Sequence, residues 1–319
     1  MPTLRRLVRS EHEVALVVSQ PARGSGRGRK LTPTPTAQAA AELGLSRLEV
    51  ENVNDPEVVA RLWACEARVG LVIAFGQKLG DGVMRAFPCG CVNLHASLLP
   101  KLRGAAPIQW AIARCEVETG VTVFRIVERM DAGPILAARA TPIGADENAG
   151  ELHDRLAELG IQAVEQTLSL LEVENPPGVA QVEAGVSVAR KLVKADGFVH
   201  FDRPVSAIMR HVRAMTPWPG AIAKFEARDG RWEDVSLMKV RGVDALAASC
   251  QWHPASADEL PVAPTRVEPG TLDDRLFVAA ADGRIEIVEI KPSSGRAMAW
   301  SDYLNGRRVA PGDCFTVPD

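Results

Sequence analysis

The chain has 319 residues and a net charge of −3, with 46% hydrophobic and 24% charged residues, and these ordinary values argue against a disordered or fibrous protein. Its longest clean apolar stretch is about eight residues, where a membrane-spanning helix needs roughly 20, and the N-terminus lacks the features of a signal peptide. Six cysteines are too few for a disulfide scaffold, and the lone pair Cys89 and Cys91 is not a zinc site, so we expect a reduced, cytoplasmic protein that needs no metal and binds no membrane.

Alternating strand and helix patterns run through the first half of the chain. The predicted strands are residues 13–20, 69–75 and Cys91–His95, and the predicted helices are residues 2–9, 36–43, 55–66 and 107–114. Residues 69–75 are almost continuously apolar, as expected of a parallel strand that is covered on both faces. The alternation predicts an α/β fold with a doubly wound, mostly parallel sheet, whose ligands bind beyond the carboxyl ends of the strands.

The pattern changes after the middle of the chain. A long amphipathic helix is predicted over residues 149–171, and the run NPPG at 175–178 ends it and begins a linker. Short β runs with turns follow, interrupted by a predicted helix at 205–214. A hairpin is predicted from the runs at 276–280 and 284–290.

These patterns predict two domains. We expect a catalytic α/β domain over residues 1–175, a linker over 176–193 and a small β-barrel, similar to an OB-fold, over 194–319. Within the barrel domain, residues 244–264 are predicted as a loop.

The residues best suited to chemistry follow the third predicted strand. Asn93 and His95 are two positions apart, so an extended strand directs both side chains to one face at the ligand-binding edge. Arg103 and Gly104 bring a cation and a flexible backbone close by, and Asp131 occupies a tight turn. Asparagine can donate to an oxyanion, histidine can transfer a proton, and aspartate can orient the histidine, so this set suits acyl transfer without a serine or cysteine nucleophile. From spacing alone, the alternative is a local hydrogen-bonding pair at a strand end.

Several runs resemble the family of formyltransferases that use 10-formyltetrahydrofolate. They are NLHASLLPKLRGAAPIQWAI at residues 93–112, ETGVTVF at 118–124 and MDAGPIL at 130–136. The run Phe75-Gly76-Gln77 is similar to the family's aromatic-Gly-Gln loop. Two further runs, SQPARGSGRGRKLTPTP at 19–35 and RAMTPWPGA at 213–221, resemble the branch of the family that acts on an aminoacyl-tRNA. The resemblance covers nearly the whole chain.

The resemblance implies roles for individual residues. Asn93, His95 and Asp131 fall on the family's catalytic positions, where the amide and a protonated imidazole stabilise a tetrahedral oxyanion and the carboxylate keeps the imidazole charged. The implied formyl donor is 10-formyltetrahydrofolate as a co-substrate, and no metal is required. The residues implied in folate binding are Phe75, Gly76, Gln77, Ser97, Leu98, Leu99 and Pro100.

Charge is distributed unevenly, which bears on the implied partner, initiator methionyl-tRNA. Residues 1–30 and 187–231 each carry a net charge of +5, so the remainder carries −13. Such segments attract the phosphates of a nucleic acid, and on charge alone the alternative is ordinary solvated surface. The resemblance places Arg27 at the acceptor stem. The residues implied in tRNA binding are Arg27, Arg29, Lys30, Arg190, Lys191 and Lys194.

The chain departs from the family's pattern in a few places. Leu102 replaces the usual tryptophan and Ala132 the usual threonine, and neither change removes a catalytic group. Residues 2–9 have the pattern of the first helix, whereas a doubly wound domain opens with a strand. We therefore expect that the first strand is missing, with about 15 residues lost through a start codon assigned too far downstream, and that its absence leaves inner strands unpaired.

Two other functions remain open at this point. A formyltransferase for the amine of a sugar nucleotide would share Asn93, His95 and Asp131, but is not expected to have the basic loop at 19–35. The second alternative is a truncated, inactive relative that binds tRNA through its basic surfaces, and folate turnover distinguishes it from an enzyme. The favoured interpretation is a monomeric enzyme that formylates initiator methionyl-tRNA for translation initiation.

Overall fold

The structure is a computed structural model that describes residues 1–25, 30–173, 175–243 and 267–318. The chain divides into two compact units. The first comprises Met1–Gly104, Glu118–Pro142 and His153–Ala189, and the second comprises Ala105–Val117, Ile143–Leu152 and Arg190–Asp319. The domain boundaries given above stay a prediction, and the loop predicted at 244–264 lies outside the described residues.

Strands and helices alternate along the first unit, and strands dominate the second. The strands are β1 Val17–Ser19, β2 Arg23–Ser25, β3 Lys30–Thr32, β4 Arg47–Glu49, β5 Gly70–Val72, β6 Cys91–His95, β7 Arg103–Gly104, β8 Glu118–Arg125, β9 Ile135–Pro142, β10 Val188–Ala189, β11 Ala221–Glu226, β12 Trp232–Gly242, β13 Val278–Ala279, β14 Arg284–Pro292, β15 Met298–Ala299 and β16 Cys314–Thr316. The helices are α1 Pro2–Leu7, α2 Pro35–Glu42, α3 Pro56–Ala64, α4 Asp81–Arg85, α5 Pro107–Ala113, α6 Ala149–Val173, α7 Val205–Met215 and α8 Trp300–Arg307. None of these described helices is long and apolar enough to cross a membrane.

The predicted helices are confirmed, each within a few residues of its predicted bounds. Local sequence explains where several of them begin. Proline occupies the first turn of α2, α3 and α5, where its missing N–H would have no partner within the helix. Thr34 caps α2 by accepting a hydrogen bond from the Ala37 N–H at 3.1 Å.

The first unit contains a four-stranded sheet in the order β5-β6-β8-β9. β5 and β6 are parallel, whereas β8 is antiparallel to both β6 and β9, so the sheet is mixed. The antiparallel pairing of β8 with β9 follows from the short loop that joins them, residues 126–134, because parallel strands would need a longer crossover connection. The predicted α/β, Rossmann-like fold class is confirmed, with fewer parallel pairs than expected.

Two strands predicted in the first unit are shorter than predicted, and the second of them is also more exposed. The runs at 13–20 and 69–75 form only the three residues of β1 and the three of β5. The residues of β5 are half-buried and Ile73 is 41% exposed, so the expectation of a strand covered on both faces is wrong. Among the described strands, β1 pairs with β4 and β5 pairs with β6, so each has a hydrogen-bonded neighbour on one edge only.

The second unit is built on a six-stranded sheet in the order β13-β14-β12-β11-β16, with β15 beside β14. One short segment connects its two edges, because Thr271 bridges Cys314 of β16 and Leu272 bridges Val278 of β13. The sheet is therefore a nearly closed barrel, which confirms the predicted class. The antiparallel pairing of β13 with β14 also confirms the predicted hairpin.

Aromatic side chains pack together inside the barrel. The ring centroid of Phe225 lies 5.4 Å from that of Phe315 and 5.7 Å from that of Tyr303. Trp300 stacks on Tyr303 at 5.5 Å. The buried Tyr303 hydroxyl donates to Glu233 at 2.9 Å, and burial raises the pKa of this tyrosine. This core anchors α8 against β11 and β16.

Candidate active site

Asn93 lies on β6, between β5 and β8. It is in register with Val72 on one side and with Phe124 on the other. Its side chain is half-buried, and the amide has no hydrogen-bond partner among the described residues. The structure therefore does not show the local Asn93–His95 hydrogen bond that spacing alone left open. The amide is available to a ligand.

His95, two residues further along β6, is 7% exposed and is held through one ring nitrogen. Nε2 lies 2.9 Å from the carbonyl oxygen of Leu102. A carbonyl oxygen can only accept, so Nε2 carries a hydrogen. The other nitrogen, Nδ1, lies 3.9 Å from Oδ2 of Asp131, too far for a hydrogen bond but close enough for attraction when the ring is charged. The ring of Phe124 meets His95 edge to face at 6.4 Å and limits its tilt.

The carboxylate of Asp131 is fixed by a backbone amide. The Gly104 N–H donates to Asp131 Oδ2 at 2.7 Å. Gly104 has φ +122°, and a Cβ there would lie 2.5 Å from the Ala189 carbonyl oxygen, so only glycine fits. The flexible backbone that the sequence indicated at this position is thus used to approach Asp131.

The loop that carries Asp131 is held from its backbone as well. Asp131 has a left-handed φ of 51°, and its carbonyl accepts a hydrogen bond from the Gln181 amide at 2.8 Å. The Gly133 carbonyl accepts from the same amide at 2.8 Å. A Cβ on Gly133 would lie 1.7 Å from the Arg125 carbonyl oxygen, so this position also requires glycine. Sequence reasoning missed Gln181, because no local motif marks a residue 50 positions from its partner.

Arg103 does not direct its charge toward Asp131. Its side chain is 6% exposed, and its Nε and Nη2 donate to Gln181 Oε1 at 3.0 and 2.7 Å. Nη2 also lies 3.5 Å from Glu183. The cation expected near the site therefore acts on the segment that carries Gln181.

The predicted folate residues after β6 form a turn that returns the chain to His95. Within it, Ser97 is fully buried, and its hydroxyl donates to the Lys101 carbonyl at 2.7 Å. The Thr122 hydroxyl donates to the Ser97 carbonyl at 2.7 Å and accepts from the Leu99 N–H at 3.1 Å. Leu98 and Pro100 are half-buried. These polar groups of the turn are thus used by the turn itself and by Thr122 of β8.

The other predicted folate residues follow β5, the strand beside β6. Gly76 has φ +77°, and the Phe75 carbonyl accepts a hydrogen bond from Gln20 at 2.9 Å. The Gln77 side chain accepts from the Val53 N–H at 2.8 Å and donates to two carbonyls between β4 and α3. Gln77 therefore supports a neighbouring loop with its side chain.

The cysteines give no sign of a metal site. Cys89 and Cys91 are buried, and burial raises the pKa of the Cys91 thiol to about 12. Within the ranges that the structure describes, there is no cluster of three or more His, Cys, Asp or Glu side chains able to hold a metal ion.

The residues implied in tRNA binding have different surroundings. Arg27 and Arg29 lie outside the described residues, and Lys30 begins β3, which pairs antiparallel with β2. Lys191 and Lys194 are exposed. The guanidinium of Arg190 instead forms two hydrogen bonds with Asp196 and lies 5.1 Å from the centroid of the Trp110 ring. These hydrogen bonds lower the pKa of Asp196, so the carboxylate offsets the charge of Arg190.

A cavity of about 260 Å³ in the second unit brings together four basic side chains of the segment 187–231. They are His200, Arg203, Arg210 and His211. Neither Arg203 nor Arg210 forms an ion pair with any described residue. Nε2 of His211 is buried without a hydrogen-bond partner in the described part of the chain, and burial lowers the pKa of this histidine. The charge pattern indicated this segment but could not single out these four residues.

Comparisons with known proteins cover nearly the whole chain. Residues 3–168 match the family described as formyl transferase, and residues 191–308 match the formyl transferase C-terminal domain. The methionyl-tRNA formyltransferases of Methylococcus capsulatus and Solibacter usitatus are each 37% identical over 313 residues, which cover 97% and 98% of this chain and 94% of each relative. The crystal structure of the sugar 3N-formyl transferase WlaRD, in the presence of dTDP and 5-N-formyl-THF, aligns with a TM-score of 0.59 and 15% identity over 92% of this chain and 94% of that chain.

Proposed function

This chain belongs to the formyl transferase family, and we propose that it transfers the formyl group of 10-formyltetrahydrofolate to the α-amino group of initiator methionyl-tRNA. The observation that carries the proposal is the match to methionyl-tRNA formyltransferases at 37% identity over nearly the full length of both chains. The sugar formyltransferase shares the fold at 15% identity, so it does not favour a sugar substrate over tRNA. The role implied is formylation of the initiator for translation, in the cytoplasm and as a monomer.

The proposed chemistry uses the three residues grouped around β6. The α-amine attacks the formyl carbon, a new C–N bond forms, and the bond from that carbon to N10 of the folate breaks. The amine loses a proton and N10 of the folate gains one, so no oxidant, reductant or metal is needed. The side-chain amide of Asn93 and a protonated His95 stabilise the negative oxygen of the tetrahedral intermediate.

His95 and Asp131 divide the proton handling between them. Because Nε2 of His95 donates to Leu102, the nitrogen that gains or releases a proton is Nδ1, which faces Asp131 at 3.9 Å. The carboxylate lies close enough to attract the charged ring, and an amine or a water molecule that approaches beside the two atoms can exchange a proton with either of them. Asp131 keeps its place because one oxygen accepts from the Gly104 N–H.

We propose that folate binds along the turns that follow β5 and β6. The side chains of Gln77 and Ser97 bond to their own chain, so recognition in these turns relies on backbone groups and on the apolar side chains of Phe75 and Leu98. The structure of WlaRD was solved with 5-N-formyl-THF, which supports a folate-type formyl donor for this family.

We propose that the tRNA is held through its phosphates. The residues assigned to it are Arg27, Arg29, Lys30, Arg190, Lys191 and Lys194, together with Arg203 and Arg210 of the cavity in the second unit. Arg203 and Arg210, which form no ion pair with a described residue, contribute more to this attraction than Arg190, whose charge is offset by Asp196.

A direct formylation assay tests the proposed function. The purified full chain is incubated with 10-formyltetrahydrofolate and either initiator methionyl-tRNA or a dTDP-linked amino sugar. We expect formyl-methionyl-tRNA as the product and no formylation of the sugar. Formylation of the sugar alone would reassign the substrate, and binding of tRNA without folate turnover would support the inactive relative.

A further inference from the structure

Gln181 has all the hydrogen-bonding capacity of its side chain engaged at the edge of the candidate active site. Its amide nitrogen donates to the carbonyl oxygens of Asp131 and Gly133, both at 2.8 Å. Its amide oxygen accepts two hydrogen bonds from Arg103, at 3.0 and 2.7 Å. An amide side chain offers two donor hydrogens and two acceptor lone pairs, so these four bonds saturate it.

The bonds of Gln181 form a closed arrangement around Asp131. Arg103 is followed directly by Gly104, whose N–H holds the Asp131 carboxylate at 2.7 Å. The same aspartate is therefore held at its carboxylate by Gly104 and at its carbonyl by Gln181, and Arg103 links these two supports. The left-handed φ of 51° at Asp131 is a conformation that a non-glycine residue seldom adopts without such support.

The segment that carries Gln181 has anchors of its own. The Ser187 carbonyl accepts from the Arg103 N–H at 2.9 Å, and the Ser187 hydroxyl accepts from the Leu102 N–H at 2.9 Å. β10 then pairs with β7. Loss of the Gln181 side chain therefore leaves the segment attached, while it removes support from the Asp131 loop and two hydrogen bonds from Arg103.

We propose that Gln181 is a positioning residue for formyl transfer, fixing the Asp131 carboxylate 3.9 Å from His95 Nδ1 through its two bonds to the loop carbonyls. The proposal rests on the function proposed above. Asp131 faces the protonated His95 that stabilises the oxyanion of the intermediate, so a displaced carboxylate lowers the rate of the chemical step and leaves substrate binding intact.

The first test replaces Gln181 with methionine, which is similar in size and has no donor or strong acceptor. We expect kcat to fall by roughly 10- to 100-fold, with KM for both substrates within about twofold of the parent, because misplacing a catalytic group costs rate rather than binding. Gln181→Glu keeps the acceptor for Arg103 but lacks both donors, so it should lose rate to a similar degree. Val182→Ala alters the neighbouring, 69% exposed side chain and serves as the matched control with unchanged kcat. Thermal unfolding of each variant checks that it is folded.

The second test asks whether Gln181 acts through Asp131. Turnover is measured for Gln181→Met, Asp131→Ala and the double variant. If Gln181 only positions Asp131, the methionine substitution costs nothing further once Asp131 is alanine. An equal loss in both backgrounds, or unchanged kcat in Gln181→Met, would overturn the proposal while the parent enzyme still formylates methionyl-tRNA. A parent enzyme without that activity would instead contradict the proposed function.

Discussion

The Nε2–H group of His95 donates a hydrogen bond to the carbonyl oxygen of Leu102 at 2.9 Å. This bond fixes the ring tautomer, so a neutral His95 presents a bare Nδ1 toward Asp131. Leu102 has a left-handed φ of 59°, and its carbonyl reaches the ring because the turn of residues 97–101 returns the chain to β6. The orientation of this imidazole is thus determined by main-chain geometry.

Replacing Asn93 with alanine tests the oxyanion role. We expect turnover to fall by roughly 10²- to 10³-fold, as the loss of one oxyanion donor does, with KM little changed. Single-turnover formylation with saturating folate measures the effect. Asn148→Ala is a matched control, because the Asn148 side chain caps the start of α6, so its loss should lower the unfolding temperature and leave turnover intact. Near-normal turnover in Asn93→Ala would contradict the assignment.

Gly133→Ala should disable the Asp131 loop. A Cβ at this position would lie 1.7 Å from a backbone oxygen, so the loop must move, and we expect a loss of about 1–3 kcal/mol in the free energy of unfolding together with most of the activity. Gly306→Ala is the contrasting variant, because Gly306 lies in α8 with open space around it and alanine favours a helix by about 1 kcal/mol. Urea unfolding and turnover, measured on both variants, check the prediction. Equal stability of the two would contradict it.

The basic side chains of the cavity in the second unit lead us to expect that tRNA binding depends on the salt concentration. With Arg203 and Arg210 both changed to glutamate, we expect weaker tRNA binding and an unchanged KM for folate. We also expect the slope of log Kd against the logarithm of the salt concentration to fall by about 2, since each lost phosphate contact lowers that slope by about 1. Arg241→Glu reverses one charge that is already paired with Glu286 and controls for a charge reversal outside the cavity. Binding is measured between 50 and 200 mM salt. A slope equal to that of the parent would remove this cavity from the tRNA site.

His211 should make stability depend on pH in the mildly acidic range. Burial lowers the pKa of its imidazole below the ordinary value of 6.5. As the pH falls, the unfolded chain therefore binds the proton at a higher pH than the folded protein does. The contribution of neutral His211 to the free energy of unfolding is complete above about pH 6.5 and is lost as the pH falls toward the lower pKa of the folded state. His211→Gln should flatten this part of the profile. Urea unfolding of both proteins between pH 5 and 8 measures it, and a difference between them that does not vary with pH would contradict the prediction.

Local sequence patterns were sufficient to predict the strands and helices whose structure depends on neighbouring residues. The two-residue spacing of Asn93 and His95 on a strand is confirmed by β6, and the helix that starts at Pro56 is confirmed by α3. The resemblance to formyltransferases, carried by runs such as residues 93–112, is confirmed by the family match over residues 3–168 and 191–308. The roles of Asn93, His95 and Asp131 stay predictions.

Distant contacts account for what the sequence could not predict. Arg103 and Gln181 are 78 positions apart, and no periodicity connects them. The pairing of Arg190 with Asp196 depends on the short helix at Lys194–Gly197, which brings the carboxylate back to the guanidinium. The exposure of β5 likewise depends on which strands lie beside it, a property that an apolar run does not encode by itself.

The bridge formed by Thr271 and Leu272 also bears on how the protein avoids aggregation. The end strands of an open sheet offer free N–H and C=O groups that can template the addition of a foreign chain. Here the first residue of one dipeptide pairs with β16 and the second pairs with β13, so part of each edge strand is covered. Loss of that dipeptide would expose both edge strands at once, which makes these two residues a poor place for an engineered insertion or a proteolytic cut.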